Sequence, residues 1–274
     1  MDGPWLDAAA FAFGTAIGAV GTMVGVGGGF LIVPVVAMVQ PHWETRTVTA
    51  FSLAVVCANA CSGTLAYLRQ RRVDIRSAIV FAAAAAPGAV IGVAGANALQ
   101  RRLFDQIFAV VLAVMAGWLM MGPQRKTGEG AGTQRREIVD RMGNRYVWSF
   151  RLRWGIAGSI AIGIVSALLG IGGGPVQVPF LVTVLNYPEH VATATSHAVL
   201  AVTSLVATVV HVAQGDYRDD AVLTLCTAAG ALCGAPLGAR LSRFVSGRTL
   251  MQILAVMLGL LAARLAFQPG RGRL

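Results

Sequence analysis

Charge is what this chain has least of. Only 12% of its 274 residues are Asp, Glu, Lys or Arg, and 56% are apolar, whereas about a quarter of a soluble domain is charged. Stretches such as 8–24, 79–100 and 104–121 carry at most one charge each, and about 20 apolar residues are enough to cross a bilayer as a helix. An ordinary soluble fold is thereby excluded, and a polytopic all-α membrane protein is expected. No charged residue falls in the middle of any predicted span, so the usual intramembrane mark of a proton relay or ion pathway is missing. The formal charge of +10 resides in short loops beside the spans rather than in a basic patch with interleaved aromatics, which argues against a nucleic-acid partner. The first residues, Met1 to Trp5, contain no Lys or Arg; a signal peptide needs them, so the first apolar run reads as a retained span. The four cysteines lie in apolar segments without zinc-site spacing, and no phosphate-binding loop occurs. No metal, no cofactor and no direct use of ATP is expected.

One stretch is present twice. Gly25-Val26-Gly27-Gly28-Gly29-Phe30-Leu31-Ile32-Val33-Pro34 is answered by Gly170-Ile171-Gly172-Gly173-Gly174-Pro175-Val176-Gln177-Val178-Pro179. Each copy breaks a long apolar segment with glycines, restarts it, and sets a proline five residues after the last glycine. Glycine inside a helix costs roughly 1 kcal/mol against alanine, so such a run is a break. In hydrocarbon a broken backbone survives only where protein or a water-filled cavity satisfies its polar groups, and paired breaks in corresponding halves point to a transport site.

The repeat extends well beyond the glycines. The segment 47–52 is matched by 191–196, Gln70 by Gln214, Gly88 and Gly92 by Gly230 and Gly234, and Gln106-Ile107 by Gln252-Ile253. About eight hydrophobic helices in two homologous halves are expected, each half with a Gly-broken helix: residues 1–121 and 154–274, joined by a hydrophilic connector at 122–153 that reads as a mobile cytoplasmic linker. If each broken segment crosses the membrane once, the halves are parallel and the 22 Lys and Arg divide 16 to 6; if it turns back, the halves are inverted and the division is 15 to 7. The positive-inside rule does not separate these. The broken segments are too long for one untilted crossing, which favours the inverted repeat, and the two termini are then expected on opposite faces.

A binding site here has to use neutral donors. The residues that restart each helix, Gly27, Gly28, Gly29 and Phe30 in one copy and Gly172, Gly173 and Gly174 in the other, carry the unpaired amides of a helix start with its partial positive charge. Two such starts facing one cavity would hold an anion without a buried cation. Hydroxyls follow at Thr49 and Ser52, and at Thr195 and Ser196, which either donate to the anion or bond the carbonyl one turn back. His197, where the first copy has Leu53, is either a structural histidine or a protonatable ligand. Gln177 replaces Ile32 inside the motif and is a further candidate; Asn59 and His211 have weaker claims. Gly88/Gly92 and Gly230/Gly234 read instead as close helix contacts.

Paired GxGGGxxxxP motifs, a duplicated hydrophobic half and a polar connector resemble the sulfite exporter TauE/SafE family over all but the connector. The resemblance implies a multi-pass secondary transporter of the bacterial cell membrane that exports small anions such as sulfite or organosulfonates, with the lipid bilayer and the anion as its partners. It leaves the substrate and oligomeric state open. Coupling to a proton or a sodium gradient is left open by the residues, His197 being the protonatable candidate. An anion channel is the alternative. An intramembrane serine hydrolase is disfavoured, because Ser196 and His197 are adjacent and point about 100° apart on a helix.

Overall fold

The computed structural model describes residues 4–40, 42–120, 134–217 and 221–266. Ten helices and one β-hairpin make up these residues. In order they are α1 (Pro4–Val24), α2 (Gly29–Val39), α3 (Thr45–Arg69), α4 (Ile75–Ala98), α5 (Arg101–Met120), β1 (Gln134–Val139), β2 (Arg145–Phe150), α6 (Leu152–Leu168), α7 (Gly174–Thr183), α8 (Glu189–Gln214), α9 (Ala221–Leu241) and α10 (Gly247–Ala266). Ten rather than eight follows from each break dividing its segment into two separate helices. The chain is a polytopic helical membrane protein: five of the helices, α1, α3, α4, α8 and α9, are long and apolar enough to cross a bilayer.

Glycine decides how these helices pair. A Cβ on Gly88 would sit 2.6 Å from the carbonyl oxygen of Ile160, and one on Gly92 would overlap that of Ile164. The same holds for Gly230, Gly234 and Gly238 against the carbonyls of Phe11, Thr15 and Ala19. These contacts advance together along the chain, so α4 runs parallel to α6 and α9 parallel to α1. Backbones this close gain dispersion contacts that no larger residue would permit, the usual basis of helix association in lipid. The glycines assigned to packing are therefore where packing needs them.

The centre is formed by α3 and α8, and these run antiparallel. Arg46 at the start of α3 pairs with Asp216 just past the end of α8, and Gly63 near the end of α3 lies against His197 near the start of α8. By contrast α9 runs parallel to α3, with Ser62 donating to Leu232 O at 2.7 Å and Gln70 to Ala239 O at 2.8 Å. Helix α2 starts at Gly29, against Val56 halfway along α3, and ends next to the first turn of α3.

Residues 134–150 correct two expectations, that the connector is a mobile linker and that the fold is all-α. They form an antiparallel hairpin, Gln134 opposite Phe150 and Val139 opposite Arg145. Trp148 and Phe150, two apart and so on one face of β2, are buried against Tyr187 with ring centroids 4.8 and 5.3 Å away. The tip is fixed by Asp140. Its carboxylate accepts from the amides of Met142 and Asn144 at 2.8 and 2.9 Å and from Arg72 at 3.3 Å, while the Arg141 amide donates to Gln70 O at the end of α3. The remainder of the connector, 121–133, lies outside the described residues.

Burial by itself would raise the Asp140 carboxyl. The hydrogen bonds from Asn144 and Met142 and the charge on Arg72 outweigh it and hold the group below the usual carboxylate range. A carboxyl depressed on folding adds stability that is present above its unfolded value, about 3.9, and is lost as pH falls through the folded value. Hydrogen exchange over residues 134–150, corrected for intrinsic rate, should therefore lose protection only below about pH 4. Asp140→Ala, which strands a buried Arg72, should lose about 3 kcal/mol of that protection at neutral pH. Unchanged protection in the variant would show that Asp140 does not anchor the hairpin.

Candidate substrate site at the paired helix breaks

The three successive glycines of each motif meet different constraints. Gly27 and Gly28 have φ of +75° and +84°, and Gly172 and Gly173 of +72° and +90°; this left-handed region costs an L-residue about 1–2 kcal/mol. Gly29 and Gly174 have ordinary backbone angles but no space. A Cβ on Gly29 would lie 2.7 Å from Ile171 O, and one on Gly174 would overlap the Cα of Val26. The two breaks are thus packed back to back. Gly27 and Gly172 rest on the same two side chains, Val56 of α3 and Leu200 of α8, each near the middle of its helix. Gly25 lies on Thr193 and Gly170 on Thr49, each break seated on the other half's central helix.

Both short helices start at this contact. Val26, Gly27, Leu31 and Ile32 find backbone acceptors, as do Ile171, Val176 and Gln177. The amides of Gly28, Gly29 and Phe30, and those of Gly173 and Gly174, donate to no backbone carbonyl among the described residues. Their unpaired N–H groups give each helix start its partial positive charge.

The polar side chains named from the sequence divide into three groups. Thr49, Ser52 and Thr195 are buried and engaged within the protein. Thr49 Oγ1 donates to Arg46 O at 2.9 Å, Ser52 Oγ crosses to Gly170 O at 2.6 Å, and Thr195 Oγ1 accepts from the Asp74 amide at 3.1 Å. A second group has no partner among the described residues: Ser196 Oγ and both polar atoms of Gln177 are buried and unbonded. They line one cavity with Gly172, Gly173, Gly174, Ser166 and Thr203. Its free space is about 10 Å³, room for about one water molecule, so an oxyanion would enter it only with rearrangement of the surrounding side chains. Phe30, fully buried, belongs to the apolar packing beside the first break.

His197 is the third group, and it does not share that cavity. It faces the first break, where its Nε2 is 3.2 Å from Thr22 Oγ1. Thr22 in turn donates to Asn59 Oδ1 at 2.9 Å, and Tyr67 covers the cluster, its ring 5.7 Å from the imidazole and its hydroxyl donating to Thr22 O at 2.6 Å. Among the described residues, His197 Nδ1 and Asn59 Nδ2 make no hydrogen bond. Ser196 lines the cavity at the second break and His197 faces the first, so the two side chains turn to different sites. Sequence reasoning missed Thr22 and Ser166, although each is a polar residue about one turn before its break, and it missed Thr203, the counterpart of Asn59. His211, buried at the far end of α8, is held by Asp216 at 2.6 Å.

The arrangement of apolar spans around paired, donor-rich breaks is that of a membrane transporter. The chain belongs to the sulfite exporter TauE/SafE family, whose model matches residues 10–265. It is also similar to the probable membrane transporter protein YunE of Bacillus subtilis (strain 168), 28% identical over 265 residues that cover 93% of this chain and 95% of the relative. No solved structure matches it.

Gln177 separates a structural from a ligand-binding cavity. A buried amide whose donor and acceptor are both unmet costs about 1–3 kcal/mol. Gln177→Leu should therefore match or exceed the wild-type melting temperature while anion binding by the purified protein falls at least tenfold. A destabilised variant that still binds normally would assign Gln177 to the scaffold.

Proposed function

We propose that the chain is a secondary transporter that exports small anions across the cell membrane by alternating access around the two glycine breaks. The observation that carries this reading is the small cavity at the second break. Unpaired Gln177 and Ser196 atoms and helix-start amides converge there, with no acidic or basic side chain in its wall. Neutral donors and oriented peptide dipoles suit an anion that has to leave again, whereas a buried cation would hold it. The family's name suggests sulfite, and organosulfonates share its oxyanion group. His197, adjoining the first break, is the protonatable group best placed to couple a proton gradient; sodium is the other candidate coupling ion.

The membrane arrangement supporting this reading is an inverted repeat of residues 1–121 and 154–274. Counterpart helices α3 and α8 run antiparallel, and α2 heads back toward the start of α3, so each broken segment returns to the face it came from. The connector and the arginine-rich ends of α3 and α9 then lie in the cytoplasm. Three crossings per half make six in all, an even number, so this arrangement implies that α1 begins and α10 ends on one face, where opposite faces were expected.

Proteoliposomes loaded with sulfite, sulfonates or carboxylates test the proposal. Efflux of one anion class should saturate and should be accelerated by the same anion outside. Gly173→Leu should abolish it, while Gly117→Leu, where a side chain meets nothing within 4 Å, should not. Non-saturating flux without exchange would replace the carrier with a channel, and wild-type flux in Gly173→Leu would remove the break from the site.

A further inference from the structure

A second, larger cavity lies away from the breaks, where α3, α9 and the hairpin tip meet. It is about 440 Å³, within the range of small-ligand sites. Five arginines line it, Arg69, Arg72, Arg141, Arg240 and Arg243, against a single carboxylate, Asp140. That carboxylate is already committed to the turn amides and to Arg72. Among the described residues the other four arginines form no ion pair; Arg243 lies over the ring of Phe244 at 4.6 Å. Arg72 is 3% exposed, and its Nη1 has no hydrogen-bond partner among the described residues.

Like charges gathered in a concavity repel, and a buried guanidinium N–H without an acceptor is costly. Both penalties disappear when a multivalent anion with several acceptor oxygens is present. The planar guanidinium fork matches the paired oxygens of phosphate and sulfate groups. We propose that this cavity is a binding site for a doubly charged tetrahedral oxyanion, a phosphate- or sulfate-type group, held by Arg72, Arg141, Arg240 and Arg243. The hairpin matters because it brings Arg141 and orients Arg72. Inorganic sulfate or phosphate carries the two charges on one group, and a cardiolipin headgroup carries them on two neighbouring phosphodiesters; both can be presented at the end of a helix bundle.

The full-length protein in phosphatidylcholine nanodiscs provides the test, by melting temperature against sodium sulfate and sodium phosphate with chloride keeping the ionic strength constant. A parallel arm incorporates cardiolipin and omits the free anions. In wild type, sulfate or phosphate should stabilise beyond chloride, and Arg240→Gln/Arg243→Gln should raise the half-maximal concentration roughly tenfold or more. The single variant Arg141→Gln, at an exposed position, should shift it in the same direction if the double variant folds poorly. Gln177→Leu should leave this response intact, which separates the arginine cavity from the transport site. Stabilisation by cardiolipin alone, lost in the arginine variants, would support the site with a lipid headgroup as its source. No oxyanion or cardiolipin effect, an effect indifferent to the arginines, or one lost in Gln177→Leu would overturn the proposal.

Discussion

The backbone contact between the two helix breaks is the constraint on which the rest of this structure depends. Val26 lies on Gly174 and Ile171 on Gly29 with no room for a methyl group, and the preceding glycines hold left-handed conformations. Hydrocarbon would not tolerate these irregular backbones, so they have to be enclosed by protein. The antiparallel pair α3 and α8 does this, with Val56 and Leu200 under both breaks and Ser52 bonding the carbonyl of Gly170. Helices α1 and α6, which lead into the breaks, are held by glycine contacts with α9 and α4. Close helix packing and the irregular centre are therefore parts of one design.

The two breaks share a backbone and differ in their polar surroundings. The second has Ser166, Gln177, Ser196 and Thr203 around a small cavity; at corresponding positions the first has Gly21, Ile32, Ser52 and Asn59. Around the first, Thr22, Asn59 and His197 form a connected chain. On the proposed reading the second break is the anion seat and the first is the group that responds to a proton. A fully symmetric pair would offer two equal sites, whereas this division gives substrate and coupling ion separate places within one contact.

The apolar helices and the breaks were legible in the sequence because each is local: apolar length and consecutive glycines. The packing role of Gly88, Gly92, Gly230 and Gly234 was legible too, since four-residue spacing keeps one face of a helix bare. The hairpin was not. The alternation of Tyr146, Trp148 and Phe150 is short and set among charges, and the Tyr187 ring that buries its apolar face is 39 residues from Trp148. Which hydroxyls are free was equally hidden. Ser52 and Ser196 occupy matching places, yet one bonds a carbonyl 118 residues away and the other bonds nothing among the described residues. The separation of His197 from Ser196 follows from helix geometry, but which break each faces depends on how the halves pack.

Thiol labelling at position 196 addresses the central claim most directly. In a protein with Cys57, Cys61, Cys226 and Cys233 replaced by serine, Ser196→Cys would be treated with a membrane-impermeant reagent from each side of sealed vesicles in turn. A cavity that opens alternately should be labelled from both faces, and the transported anion should slow the reaction in a concentration-dependent way. No labelling from either face, or labelling that no sulfite, sulfonate or carboxylate slows, would contradict the assignment of the paired breaks as the transport site.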